Sequence, residues 1–537
     1  MRRVIESDIC IIGSGITAAL AAEKIADERD ASIVVVEAGR ESAPLEDRRE
    51  TRGRYLAYGE NPWPDDHVEG QTADGIQSRS MVVGGLALHW GGVTPRFSPE
   101  DFRVKSLYGV GDDWPITYDQ LEPHYQEAEE RMGVAGEQGP GELDPRSRPY
   151  PMPPLPLSYN LRLLKAWADT AGIPFWSQPS AKNSIRYMFR PVCCRNDTCA
   201  PICPIGAKYS PDFTWNTLRR ARRIELITKT LVRRLVTDGR TNRIDHAVAV
   251  DREHPGTPVE FRARIFVVAG GYAWSPHLLL LSASSGVPAG VANSSGLVGR
   301  YLAGHRNVSA YVRLPMKLYP GINSSHSLVS KQFMRPGPLQ RYVRHDLRIW
   351  ESTVGTEPRL RDDSGSLLLG DDVLADWRRR TERGTARLRA YYDVLPARDS
   401  ALTLDRSRRN AWGDPMPRLD FRDSDASRDL RGHTEDSIRG VFRRMARPGS
   451  GEILSMRSSD FQDHPAGGCR MGDDPATSVV DSFGRTHDHE NLFVIGAPTC
   501  VTAGCANGTL TFVALALRSA SQIGGEFPAV AADARGR

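Results

Sequence analysis

Four cysteines, Cys193, Cys194, Cys199 and Cys203, crowd into one short stretch, and the last three follow a Cys-x4-Cys-x3-Cys spacing closed by Pro204. That pattern suits iron–sulfur ligation, because a tight loop must turn several thiolates toward one point. The same residues could form a disulfide staple, a zinc knuckle or a set of packed thiols. A cluster passes electrons singly, so it would imply an enzyme that exports electrons. Cys10, Cys469, Cys500 and Cys505 are scattered without a framework pattern, which fits a reducing compartment.

A second constellation lies near the N-terminus. Asp8–Ile12 is an apolar run of strand type, followed by Gly13-Ser14-Gly15-Ile16-Thr17-Ala18 and a helical stretch to about Asp27. A strand over Ser32–Val36 then ends in Glu37, with Ala38 beside it. Strand, G-x-G-x-x-A, helix, strand, acid is the order of a dinucleotide site. Gly13 permits the tight turn, Gly15 lets a pyrophosphate approach the backbone, and Ala18 allows close helix–strand packing. The helix N-terminus supplies N–H donors around Ser14, Ile16 and Thr17. Glu37 is placed for the ribose hydroxyls of an adenosine half. The fingerprint alone does not separate FAD from NAD.

Further segments resemble the glucose–methanol–choline (GMC) oxidoreductases, in family order. They are Val82–Gly92 (VVGGLALHWGG), Asp113–Ile116 with Leu121–Tyr125, Ala263–Gly271, Asn293–Arg300, His464–Gly472 (HPAGGCRMG) and Asn491–Leu517. The resemblance implies an α/β fold, with a discontinuous Rossmann-like FAD domain and a substrate domain of mostly antiparallel sheet and helices. It places Gly84, Gly85, Leu88, His89, Trp90, Gly91, Val232, Ala269, Gly270, Ala497 and Thr509 at the cofactor. His89 aligns with a histidine that some members link covalently to flavin; packing against the ring, with FAD held non-covalently, is the expectation. Cys193–Lys208 is similar to the cysteine loop of members that oxidise sugars and polyols. That likeness implies a 3Fe–4S cluster on Cys194, Cys199 and Cys203, although Arg195–Thr198 differ from those members.

Alcohol oxidation by hydride transfer needs a base for the hydroxyl proton, and a neutral histidine suits that task. The resemblance assigns His464 as the base and Asn507 as its partner orienting the substrate oxygen. It departs from the family where Gly508 stands in place of a proline, which loosens the adjoining backbone. His305, His487 and His489 are read as structural. The expected activity is oxidation of an alcohol group of a sugar, glycoside or sugar-containing natural product. Hydride goes to flavin N5, and electrons leave through the cluster toward a possible acceptor protein. The alternative is a metal-free oxidase of pyranoses or glycosides that uses oxygen.

What positions these residues is a chain of 537 residues, long enough for more than one large core. Hydrophobic and charged fractions of 40% and 25% are those of a globular protein, and a net charge of +4 gives no reason to expect nucleic acid. No apolar run reaches the length of a membrane span. Arg2-Arg3 before an apolar stretch imitates an export signal, but that stretch is the nucleotide-binding strand, so the expectation is an uncleaved, cytoplasmic protein. The FAD domain is expected at 1–105, 210–308 and 455–537, and the substrate domain at 106–209 and 309–454. Residues 139–157 read as a surface linker, and Ser400–Leu404 with Pro415–Phe421 as sheet roofing the pocket.

Overall fold

The apolar run at Asp8–Ile12 is the buried end of a longer strand, β1 (Arg3–Ile12), in a computed structural model that describes residues 3–60, 80–195, 199–256, 258–319, 326–335, 342–352, 358–446 and 451–529. Ile9 and Ile11 face one apolar cluster, Cys10 and Ile12 another, so the strand is covered on both sides. That is the environment of a central strand in a parallel sheet. The strands that follow are β2 (Ile33–Val36), β3 (Trp176–Ser177), β4 (Glu225–Ile227), β5 (Thr230–Thr237), β6 (Ile244–Asp251), β7 (Pro258–Val268) and β8 (Ala303–Arg313). Then come β9 (Leu328–Ser330), β10 (Leu347–Ser352), β11 (Thr385–Val394), β12 (Ala401–Arg409), β13 (Pro415–Asp420), β14 (Glu452–Ala466) and β15 (Leu492–Val494).

The first sheet runs β4-β2-β1-β7-β6-β5, with β15 also pairing β7. Its β4, β2, β1, β7 and β15 are mutually parallel, and β6 and β5 add an antiparallel meander. Helix Ile16–Glu28 and the last helix, Thr509–Gly524, cover one face through Ala18, Ala22, Ile25, Ala516 and Ile523. Small residues at this seam let helix and sheet approach closely, as the G-x-G-x-x-A pattern requires.

The second sheet is six-stranded, β14-β8-β11-β10-β9-β3, and antiparallel throughout. Side chains alternate across it. Val308, Ala310, Val312, Leu347, Ile349, Leu388 and Ala390 form one face, buried against helices Tyr159–Asp169 and Leu430–Met445. The opposite face carries polar and aromatic side chains and ends at the site described below. Expected junctions at 308 and 454 fall inside or beside strands, since β8 begins at Ala303 and β14 continues to Ala466.

One expectation changes. Residues 139–157 are no exposed linker: Leu143, Asp144, Tyr150, Met152 and Leu155 are buried, and Lys331 pairs with Asp144 at 2.7 Å. Proline and glycine there shape an inward-packed loop. The β12–β13 hairpin does not join the six-stranded sheet but forms its own pair, packed on helix Gly271–Leu281. No helix among the described residues is long and apolar enough to cross a membrane.

Candidate active site

One cavity is lined by Gly13, Ser14, Gly15, Ile16, Thr17, Glu37, Ala38, Gly85, His89, Trp90, Gly91, Val232, Ala269, Gly270, Ala497 and Thr509, together with His464 and Asn507. The structure therefore brings the expected cofactor residues and the expected catalytic pair into the same space. Gly84 and Leu88 are exceptions. Residues Gly85–Leu88 form a 3-10 turn that swings Leu88 inward against Val82 and Ile202, and Leu86 takes its place at the wall. Gly84 (φ +99°) lies behind, where an added Cβ would meet the Leu88 side chain at 3.2 Å.

The cradle fits an extended dinucleotide. At Gly13 (φ +104°) a Cβ would meet the Ala269 carbonyl oxygen at 2.8 Å, whereas a Cβ on Gly15 would meet nothing within 4 Å. Gly15 caps helix Ile16–Glu28 without a side-chain hydrogen bond, and no acid sits in the first turn. The free amides there offer an anion site. Glu37 accepts from the Ser14 amide and hydroxyl at 3.0 and 2.6 Å and from the Gly39 amide at 2.7 Å. Burial raises its carboxyl pKa and these donors oppose the rise. Arg252 donates to the Ala38 carbonyl at 2.7 Å.

Residues that sequence reasoning missed complete the walls. Asn410 and Asp414 reach in from the turn of the β12–β13 hairpin, where Asp414 pairs with Arg233 at 2.5 Å. Trp274 and His277 come from helix Gly271–Leu281. Nothing local in the sequence pointed those positions at a ligand.

His464 sits near the end of β14 in a left-handed conformation (φ +49°), an uncommon state for a non-glycine residue. Gly467 and Gly468, also at positive φ, follow it. Asn507 sits just before the last helix, which starts at Thr509. Asn507 Nδ2 lies 2.9 Å from His464 Nε2, and His305 Nε2 lies 2.8 Å from His464 Nδ1. His305 Nδ1 in turn is 3.3 Å from the Gly504 carbonyl oxygen. A carbonyl only accepts, so Nδ1 of His305 carries the proton, its Nε2 accepts from His464 Nδ1–H, and the lone pair of His464 is on Nε2, where it accepts from the Asn507 amide. Burial depresses the His464 pKa to about 3, helped by the positive charges of Arg348 and Arg389. Asn507 is 8% exposed, and its Oδ1 has no hydrogen-bond partner. A buried acceptor left open marks where a bound molecule belongs. His305, expected to be structural, thus bonds directly to His464.

The cysteine loop stands beside the cavity. Lys208, buried, donates from Nζ to the carbonyls of Leu88, Trp90 and Cys199 at 2.9, 2.7 and 2.8 Å. Cys203 is buried, Cys193 and Cys199 are half-buried, and Cys194 is exposed. Asn196–Thr198 lie outside the described residues. Among the described residues no three His, Cys, Asp or Glu side chains are gathered to hold a metal ion, so the expected cluster site does not stand assembled.

Family comparison matches residues 191–307 and 396–516 to the N- and C-terminal GMC oxidoreductase models. The fructose dehydrogenase large subunit of Gluconobacter japonicus is 31% identical, with 97% of this chain and 98% of that one aligned. A 6'''-hydroxyparomomycin C oxidase of Streptomyces lividus is 29% identical over 96% and 91%. Among solved structures, pyridoxine 4-oxidase from Mesorbium loti superposes with a TM-score of 0.62 at 18% identity, covering 96% of this chain and 98% of that one.

Proposed function

Because the chain belongs to the GMC oxidoreductase family, we propose that it oxidises an alcohol group of a sugar, a glycoside or a sugar-containing natural product. The observation that carries this reading is that the nucleotide cradle and the His464–Asn507 pair line one cavity.

Oxidation of a CH–OH group takes a proton from oxygen and a hydride from carbon. FAD held in the cradle supplies the hydride acceptor. His464, neutral at working pH, receives the hydroxyl proton at Nε2. Its Nδ1–H bond to His305 holds the ring in the reactive tautomer, much as a second-row partner fixes any catalytic imidazole. That bond strengthens when the proton arrives and the ring becomes charged. The Asn507 amide, within reach of the same nitrogen, donates to the alkoxide as it develops.

For electron exit the reading takes Cys194, Cys199 and Cys203 as ligands of a 3Fe–4S cluster and an acceptor protein beyond it. The Cys-x4-Cys-x3-Cys spacing supports this, as does Lys208 fastening the loop to the wall at Leu88 and Trp90. The thiols are not gathered around one point, so no step of the mechanism passes through a cluster. A metal-free oxidase is the second reading, favoured by the likeness to an enzyme named an oxidase. Anaerobic purification followed by an absorbance spectrum, iron and sulfide analysis separates them. Flavin bands with a broad brown shoulder and bound iron support the cluster; flavin alone, with oxygen uptake on adding sugar, supports the oxidase; no flavin defeats both.

A further inference from the structure

The β12–β13 hairpin stands apart from both large sheets, yet Asn410 and Asp414 at its tip line the cofactor cavity. The tip has a fixed shape. Asn410 Oδ1 accepts from the Trp412 and Asp414 amides at 3.0 and 2.9 Å, and the Asn410 amide donates to the Asp414 carbonyl at 2.9 Å. A side chain bonded to its own turn in this way sets the turn without outside help. Two arginines then fasten the tip. Arg233 donates to both carboxylate oxygens of Asp414, at 2.8 and 2.5 Å, and to the Trp412 carbonyl at 2.7 Å. It is the extra residue of a β-bulge, because β5 passes from Val232 opposite Ala249 straight to Arg234 opposite Val248. Bulges of this kind re-aim a side chain beside a functional site. Arg252, just past β6, sets its Cζ 5.8 Å from the Trp412 ring centroid and donates to the Ala38 carbonyl at 2.7 Å. The tip is thereby tied to β5 and to the residue next to Glu37.

These ties enclose the side of the cradle that Glu37 marks for the ribose. The Thr230 amide donates to the Glu37 carbonyl at 3.0 Å, which sets the start of β5 beside that acid. The Leu235 amide donates to Ser282 Oγ at 2.9 Å, which sets the end of helix Gly271–Leu281 against the same strand. From that helix His277 donates through Nε2 to the Pro415 carbonyl at 2.9 Å, joining helix to hairpin. Trp274, its ring 5.6 Å from His277, lines the cavity between them. Its Nε1 is buried and has no hydrogen-bond partner. A buried donor left open in a cavity wall points to an acceptor on a bound molecule.

We propose that Asn410–Asp414 form a clasp over the adenosine half of FAD, with the Arg233–Asp414 pair as its latch. The inference rests on FAD occupying the cradle and is independent of the sugar and of the route by which electrons leave. The two-pronged bond between guanidinium and carboxylate is stronger and more directional than a single contact, so it must break before the adenosine can leave. The clasp therefore acts on how long the cofactor stays.

The test follows FAD release from the diluted holoenzyme as a gain in flavin fluorescence, with melting of the cofactor-free full chain measured beside it. Arg233→Gln and Asp414→Asn should each speed release about tenfold or more and leave that melting unchanged. The double variant should release FAD no faster than either single one, because both break the same pair. Arg233→Lys, which keeps the charge and loses the fork, should recover part of the difference. Trp412 does not line the cavity, so Trp412→Ala loosens the tip only from Arg252. It should speed release about threefold, and it decides the matter if the latch variants fail to fold. Release at the wild-type rate, single effects that multiply in the double variant, or faster release matched by a lower melting temperature of the cofactor-free chain would overturn the clasp. A wild type that carries no FAD would overturn the cradle reading and the clasp together; variants that hold FAD as long as the wild type sink the clasp alone.

Discussion

His305 and His464 meet ring to ring, Nε2 to Nδ1 at 2.8 Å, although 159 positions separate them in sequence. They come from neighbouring strands, β8 and β14, whose pairing sets Asp463 opposite His305 and slips on either side of that point. Those irregularities release His464 from the sheet plane into its left-handed conformation and turn its ring toward the cavity.

On the proposed mechanism His305 is a positioning residue. Replacing it with phenylalanine should lower kcat roughly 10–100-fold, the usual loss for an outer partner of a functional imidazole, with FAD retained. The pH profile of kcat/KM should shift as well, since the tautomer is no longer fixed. His305→Gln, which keeps an acceptor, should recover part of the rate. An unchanged pH profile would reduce His305 to a packing role.

Gly15 has an extended backbone (φ −66°) and open space before it, so Gly15→Ala should fold normally and fill room meant for the cofactor. Apoprotein melting should be unaltered, while FAD affinity falls by about tenfold or more, in line with the cost of overfilling a packed site. Retained affinity would mean that the pyrophosphate lies elsewhere. Acid precipitation should free all the yellow colour; flavin left in the pellet would implicate His89.

Much of this was legible in the chain. Gly13, Gly15 and Glu37 announced the cradle because their spacing is that of a dinucleotide fingerprint, with Gly13 held at a positive φ where a side chain would strike Ala269. His464 and Asn507 were singled out through flanking sequence, and the structure sets them 2.9 Å apart in the cavity. His305 was passed over because its role is written in strand pairing, which one sequence does not display. Leu88 was misplaced for a smaller reason: a 3-10 turn has neither the period of a strand nor that of an α-helix, so the side facing the cavity could not be counted out. Asn410 and Asp414 belong to a hairpin whose docking on helix Gly271–Leu281 is likewise a tertiary event.

Buried histidines should make the protein sensitive to acid. Burial depresses the pKa of His277 and His345 to about 4, and of His326 and His464 to about 3. Between those values and about 6.5 the unfolded chain binds protons that the folded chain refuses, so stability rises with pH across that window. Denaturant midpoints from pH 4 to 7 should climb accordingly, and a flat or falling series would contradict the buried neutral state.

If Cys194, Cys199 and Cys203 hold a cluster, changing any one to serine should remove iron and sulfide and leave FAD in place. A single turnover should survive, and multiple turnover with a large one-electron acceptor should collapse. Cys193→Ser should be milder. Zinc, or no metal after anaerobic purification, would return the enzyme to the oxidase reading.

The most direct measurement of the account is anaerobic bleaching of the bound flavin by a sugar substrate in the wild type and in His464→Ala, with FAD content matched. The wild-type flavin should bleach in a single turnover, and the variant should do so about 10²–10⁴-fold more slowly, as loss of a general base requires. Bleaching at equal rates in the two proteins would place the base elsewhere and contradict the central role given to His464.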